Sequence, residues 1–233
     1  MPTVAIEVFE DEVRPLGRAV VAAVDVLRAT TTAVTAVALG RRCLPVPSLE
    51  TAAELSRRLD GALLGGELGG HTPYGFEITN SPAAVSARTD RERPLILLSS
   101  SGTRMLCAAE EAADEVYVAS LRNVTATARA LARDDRLVVV LGAATRGEFR
   151  EEDQLCCAWI AARLAANGYE AADARTAELV DRWATAPADA LTVSRSVAYL
   201  ADTGQLRDLD FVLEHVDDLG EAFRMEAGEV VPA

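Results

Sequence analysis

The chain has 233 residues, half of them hydrophobic and a quarter charged, which is ordinary globular composition and enough to bury a full core. Its formal net charge is −13, and all 23 basic residues are arginine. Such an acidic balance argues against binding to nucleic acid or to an anionic membrane, which needs a basic face to displace counterions; an anionic small substrate would need local compensation by a metal, an arginine or backbone amides.

In chain order, residues 4–9 are an apolar run without the basic leader of a secretory signal, and no uncharged stretch reaches transmembrane length, so a cytoplasmic protein is expected. Residues 19–24 are β-branched and alanine-rich, the pattern of a strand buried on both faces, and helix spacing takes over from Thr30 to Leu39. Further strands are predicted at 42–46, 62–65, 95–98, 115–118 and 136–141, with helices after most of them. Ser48 is a helix cap, and Asn80-Ser81-Pro82 is a second start signal with proline in the first turn. Residues 151–167 form a longer amphipathic helix ending at Asn167-Gly168, where a left-handed cap is expected. From 171 to about 213 the pattern is all helical, with breaks at Pro187 and Gly204. That tail carries no evident chemistry and could cover one face of the sheet or form a homodimer contact.

Strands alternating with crossover helices predict a three-layer α/β/α fold with a mostly parallel or mixed sheet, one domain over 1–233 and a helical C-terminal cover at about 171–215. Cys43, Cys107, Cys156 and Cys157 form no CxxC pair and read as reduced, mostly buried residues.

Chemistry collects where predicted strands end. Val24 to Thr32 reads Val-Asp-Val-Leu-Arg-Ala-Thr-Thr-Thr, which sets the carboxylate of Asp25 and the donor fork of Arg28 beside the hydroxyls of Thr30 and Thr31. Open α/β sheets bind ligands at such carboxyl ends, where helix N-termini aim unpaired N–H groups at anions. Asp25 and Arg28 could instead pair with each other to tie down the turn. The loop from Leu64 to Pro82 packs five glycines around Glu67, a second oxygen ligand for a hard cation, unless it is simply solvated. In Leu97 to Arg104, the hydroxyls of Ser100, Ser101 and Thr103, the amides near Gly102 and the charge of Arg104 suit an oxyanion, although a serine-rich helix cap looks the same. Glu151-Glu152-Asp153 is an acidic helix start, weak as a signal because the macrodipole favours it anyway. No GxSxG elbow supports a serine hydrolase; of the two histidines, His71 and His215, the former keeps a role as proton donor open. Together these strand ends describe a site for a cation and a phosphorylated anion.

The motifs resemble those of the 2-phosphosulfolactate phosphatases. Val-Asp-Val-Leu-Arg-Ala-Thr-Thr-Thr is similar to that family's most distinctive string, and Gly66-Glu67 stands where its Gly-Glu-Arg lies. Gly75-Phe76-Glu77, Asn80-Ser81-Pro82, Gly102-Thr103-Arg104 and Glu152-Asp153 with Leu155-Cys156 follow in the family's order. The resemblance implies a magnesium (Mg2+)-dependent hydrolase that removes phosphate from 2-phospho-3-sulfolactate on the route to coenzyme M. It implies catalytic roles for Asp25, Arg28 and Glu67, and metal binding by Asp25 with Glu67 or Asp153. Substrate contacts are implied for Thr30, Thr31, Asn80, Ser81, Ser100, Ser101, Gly102, Thr103 and Arg104. Water attacks phosphorus in line, or Asp25 itself becomes phosphorylated. Leu68 replaces the family's arginine and Ser101 its asparagine, so the substrate could be another 2-phosphorylated acid, and a non-catalytic binder of an anionic metabolite is the alternative.

Overall fold

The predicted strands and helices occur in their predicted order. The computed structural model describes every residue except 11, 134 and 146, and of Thr145 the backbone alone. Strands β1 (Thr3–Val8) and β2 (Gly17–Val24) precede helix α1 (Ala29–Ala38), β3 (Cys43–Val46), α2 (Leu49–Arg58) and β4 (Leu63–Gly66). Then come α3 (Pro82–Ala87), β5 (Leu95–Leu98), α4 (Gly102–Ala112), β6 (Ala113–Ala119), α5 (Val124–Leu131) and β7 (Val138–Gly142). A small hairpin, β8 (Ala144–Thr145) with β9 (Glu148–Phe149), leads into the long helix α6 (Glu151–Ala165) and β10 (Glu170–Ala171). The C-terminal stretch holds α7 (Ala174–Trp183), a 3-10 turn (Ala188–Val193), α8 (Arg195–Asp202) and α9 (Leu206–Glu214), then the hairpin β11 (Phe223–Glu226) and β12 (Glu229–Pro232).

The caps form as the residue types require. Ser48 Oγ accepts from the Thr51 amide at 3.2 Å and Ser81 Oγ from the Ala84 amide at 3.0 Å, each satisfying a donor that a helix start leaves open. Gly168 closes the α6 end at φ +90°, the left-handed conformation expected there.

Ten strands form one sheet in the order β10-β1-β7-β2-β6-β11-β12-β3-β5-β4. The first five run parallel, as do β3, β5 and β4 among themselves. Between them the C-terminal hairpin pairs antiparallel with β6, within itself and with β3. Those three reversals set the two parallel blocks in opposite senses, a mixed sheet that no single crossover rule produces. The hairpin is absent from the helical reading of the tail; its turn is Ala227-Gly228, both at positive φ, rather than the Asn-Gly signal that marks such turns most clearly.

Alternate residues of β2 enter different cores. Val20, Ala22 and Val24 pack towards α5, α6 and the C-terminal helices, whereas Val21 and Ala23 face α1, α4 and, beyond them, Leu95 and Leu97 of β5. A smaller cluster of Val46, Ile96 and Leu98 faces α2 on the far side. α1 and α4 therefore lie between the two blocks, each just after a strand of a different block, so the starts of both helices meet. Phe223 joins the blocks and is 1% exposed; Phe223→Ala should lower the unfolding free energy by about 3–5 kcal/mol, read from urea melts. Among the described residues no helix is long and apolar enough to cross a membrane.

Candidate active site

The chain leaves β2 through a turn that its own side chains hold. Asp25 Oδ1 accepts from the Ala29 amide at 3.1 Å, and Thr30 Oγ1 accepts from the Asp25 amide at 2.9 Å while donating to the Asp25 carbonyl at 2.8 Å. Thr31 donates to the Val26 carbonyl and Thr32 to that of Arg28. The Leu27–Arg28 peptide within this turn is cis. Asp25 Oδ2 accepts no hydrogen bond from a described residue and borders Gly102: a Cβ there would lie 2.1 Å from it. That contact joins the end of β2 to the start of α4, from the opposite block.

Glu67, just past β4, is held by the neighbouring turn. Its Oε1 accepts from the Ser100 amide at 2.8 Å, and its Oε2 from Ser100 Oγ at 2.9 Å and the Gly70 amide at 2.8 Å. Ser101 Oγ donates to the Ala144 carbonyl at 2.6 Å, linking the turn to the β8–β9 hairpin. Asp25, Arg28, Glu67, Asn80, Ser100, Ser101 and Arg104 all line one cavity of about 710 Å³, whose remaining wall includes Arg195 and Tyr199 of α8.

Arg28 does not pair with Asp25. Its Nη1 donates to Asp208 Oδ2 on α9 and to Gln205 Oε1, each at 2.6 Å. Arg28 lines the cavity, and the other edge of its guanidinium, Nε with Nη2, makes no hydrogen bond to a described residue. A two-donor edge of this kind matches the spacing of phosphate oxygens.

Burial sets the electrostatics. It raises Asp25 from the ordinary carboxylate range to about 7, helped by the charges of Glu67 and Glu152 and opposed by the Ala29 amide and Arg28. Asp153 and Glu152 are also raised, chiefly by burial, and in Asp153 by the charges of Glu152 and Asp25 as well.

The model of the 2-phosphosulpholactate phosphatase family matches residues 9–218, a span that contains every residue named at this site. The chain belongs to the 2-phosphosulfolactate phosphatase family. It is 35% identical over 201 residues to the 2-phosphosulfolactate phosphatase of Methanothermobacter thermautotrophicus, covering 86% of this chain and 84% of that one. A probable 2-phosphosulfolactate phosphatase of Deinococcus radiodurans is 35% identical over 195 residues (82% and 81% covered), and one of Pseudothermotoga lettingae is 31% identical over 198 (85% and 77%).

In this member of the 2-phosphosulfolactate phosphatase family, several residues expected at the substrate stand behind the cavity wall instead. Thr30 and Thr31 are buried and spend their hydroxyls on backbone carbonyls, because a threonine opening a helix can bond back to the chain before it. Thr103 exchanges bonds with Ser99, each hydroxyl accepting from the other's amide, which ties the end of β5 to the first turn of α4. Ser81 caps α3 and donates to Asp208 Oδ1 at 2.5 Å. Asp153 is 3% exposed and accepts from the Val26 amide at 2.7 Å, so it braces the Asp25 turn from below and does not join a metal-binding trio. Among the described residues, no three His, Cys, Asp or Glu side chains stand where they could hold a metal together. His71 is exposed and outside the cavity lining, and His215 stacks on Phe211, so neither histidine is placed to move a proton there.

Leu68 packs against the cluster of Val46, Ile96 and Leu98 rather than opening on the cavity. The residues missed in the sequence come from the tail: Gln205, Asp208 and Tyr199, whose hydroxyl donates to the Gly70 carbonyl at 2.7 Å. One signal was there to be read. Gln205, Asp208, Leu209 and Val212 share a helical stripe, and an aspartate on an apolar stripe has to be paired inside.

Proposed function

We propose that this chain is a phosphoric monoester hydrolase acting on a 2-phosphorylated small acid, 2-phospho-3-sulfolactate or a close analogue, with magnesium as cofactor. The observation that carries the reading is Asp25 Oδ2: a carboxylate oxygen that accepts no hydrogen bond from a described residue, on a residue lining a cavity that Arg28 and the turn opening α4 also line. A phosphoryl group fits that surround, because guanidinium and helix-start amides both favour its oxygens.

The donor set suits a hard cation. Asp25 and Glu67 are two acidic oxygen donors on one cavity, Asn80 Oδ1 is a buried carbonyl oxygen without a partner among the described residues in the same lining, and the charge of Glu67 already raises Asp25. A divalent ion with few protein ligands and several waters matches that supply. Asp25 and Glu67 would hold it, and it would supply charge neutralisation for the phosphoryl oxygens. The chain's own residues do the rest. Arg28 grips non-bridging oxygens through Nε and Nη2, the Ser100–Ser101 turn orients the ester, and Ser100 keeps Glu67 in its rotamer.

Phosphate release from a panel of 2-phospho acids, with and without magnesium, tests the reading. Metal-dependent turnover of at least one is expected, and none on any would end it. Glu67→Gln should raise the magnesium concentration for half-maximal rate about tenfold, since an amide keeps the size but not the charge. An unchanged magnesium titration would remove Glu67 from the cation site.

A further inference from the structure

Asp208 lies 180 residues beyond Arg28 in the chain, on a helix of the tail, yet meets it in a buried ion pair at 2.6 Å, with side chains 3% and 5% exposed. Its two oxygens divide the work. Oδ1 accepts from Ser81 Oγ at 2.5 Å and from the Ala83 amide at 3.3 Å, which fixes α9 to the start of α3. Oδ2 accepts only from Arg28 Nη1 among the described residues, and Gln205 Oε1 accepts from that same nitrogen. Gln205 is itself oriented, because its Nε2 donates to Thr203 Oγ1 at 2.7 Å, which turns Oε1 towards Arg28.

A carboxylate that served only to neutralise a buried arginine would gain most from the bidentate fork, two parallel bonds to two nitrogens. Here both acceptors converge on one nitrogen, and the two-donor edge is left without a hydrogen bond to any described residue in an arginine that lines the cavity. We infer that Asp208, seconded by Gln205, is a positioning residue: it ties Arg28 Nη1 back to α9 so that Nε and Nη2 are presented, already oriented, to the phosphoryl oxygens. The inference rests on the phosphatase reading for what Arg28 grips, and it makes the C-terminal helices part of the anion site rather than a cover. Pre-orientation matters because a free arginine side chain would lose its rotamer freedom each time an anion bound.

Asp208→Asn tests it, since the amide keeps the size and can keep one acceptor for Ser81 while removing the charge from the Arg28 side. Calorimetry with inorganic phosphate, in the presence of magnesium, is the readout, and a thermal melt verifies that the variant is folded. Phosphate affinity is expected to fall about tenfold in Asp208→Asn. In an Arg28→Ala background the same substitution should cost nothing further, because the group it positions has gone. Asp208→Glu, which restores the charge, should recover part of the loss. An equal fall in both backgrounds makes Asp208 a structural tether only and overturns the inference, as does a wild-type chain that takes up no phosphate. Failure of the phosphatase reading would look different: phosphate would still bind and respond to Asp208, with no phospho acid turned over.

Discussion

Asp25→Asn is expected to leave less than about a thousandth of the phosphate-releasing activity and, at the same time, to raise the melting temperature by about 2–5 °C at pH 8. The first effect follows from what the amide keeps and loses. Its carbonyl oxygen can still accept from the Ala29 amide, so the turn survives, but the oxygen that borders Gly102 becomes an NH2 that can neither hold a cation nor approach phosphorus. The second follows from linkage. Burial lifts the Asp25 carboxyl from 3.8 to about 7, so between those values the folded state holds a proton that the unfolded state releases. Stability therefore falls as pH rises through that window, by about 1–4 kcal/mol for a shift of this size, and asparagine removes the loss. Glu152 and Asp153 are raised too and feel the Asp25 charge or share its surroundings, so the relief extends beyond one residue. Melts at pH 5 and pH 8 in chelator, beside phosphate release with magnesium, check both halves. The stability gain should be large at pH 8 and small at pH 5; substantial residual turnover, or a gain that ignores pH, would contradict the placement of Asp25.

What the sequence made legible divides along a physical line. Strands buried on both faces announce themselves as unbroken β-branched runs, and the seven predicted ones exist. So do the strand ends that carry Asp25, Glu67 and Ser100–Ser101, because polar residues abruptly following such runs stand where loops converge. Two things depended on distant partners and could not be read locally. The sense of the second block is set by β11 and β12, which lie more than a hundred residues beyond β5. The partner of Arg28 is on α9, and nothing near Arg28 in the chain distinguishes Asp208 from Asp25 as its counter-ion. The hydroxyls of Thr30, Thr31 and Thr103 depart from expectation for the reverse reason: they have local backbone partners at hand, and a residue type that suits an oxyanion equally suits a helix start.

Gly102→Ala should cost about a hundredfold in turnover and also lower the unfolding free energy by about 1–3 kcal/mol. The backbone at Gly102 is not in the left-handed region, and position 102 is the first residue of α4, where alanine is the better helix former by up to about 1 kcal/mol. By every local rule the substitution is harmless. Its cost arises entirely across the sheet, where the added methyl would lie 2.1 Å from Asp25 Oδ2 and 2.6 Å from Ala29 Cβ. The Asp25 carboxylate can swing aside, but Ala29 is fixed within α1, so the starts of α1 and α4 must also move apart, and both shifts displace Asp25 in the cavity that Glu67 and Arg28 line. Gly70→Ala provides the contrast. There the methyl would meet Tyr199 Oη at 2.5 Å, the far end of an exposed side chain that can yield by giving up its bond to the Gly70 carbonyl, and φ of +88° adds backbone strain. That variant should lose stability by about 1 kcal/mol and keep most of its turnover. Steady-state phosphate release and urea melts on the two variants separate the cases. If Gly102→Ala turned over as well as Gly70→Ala, the meeting of the β2 end with the α4 start would have no part in the chemistry.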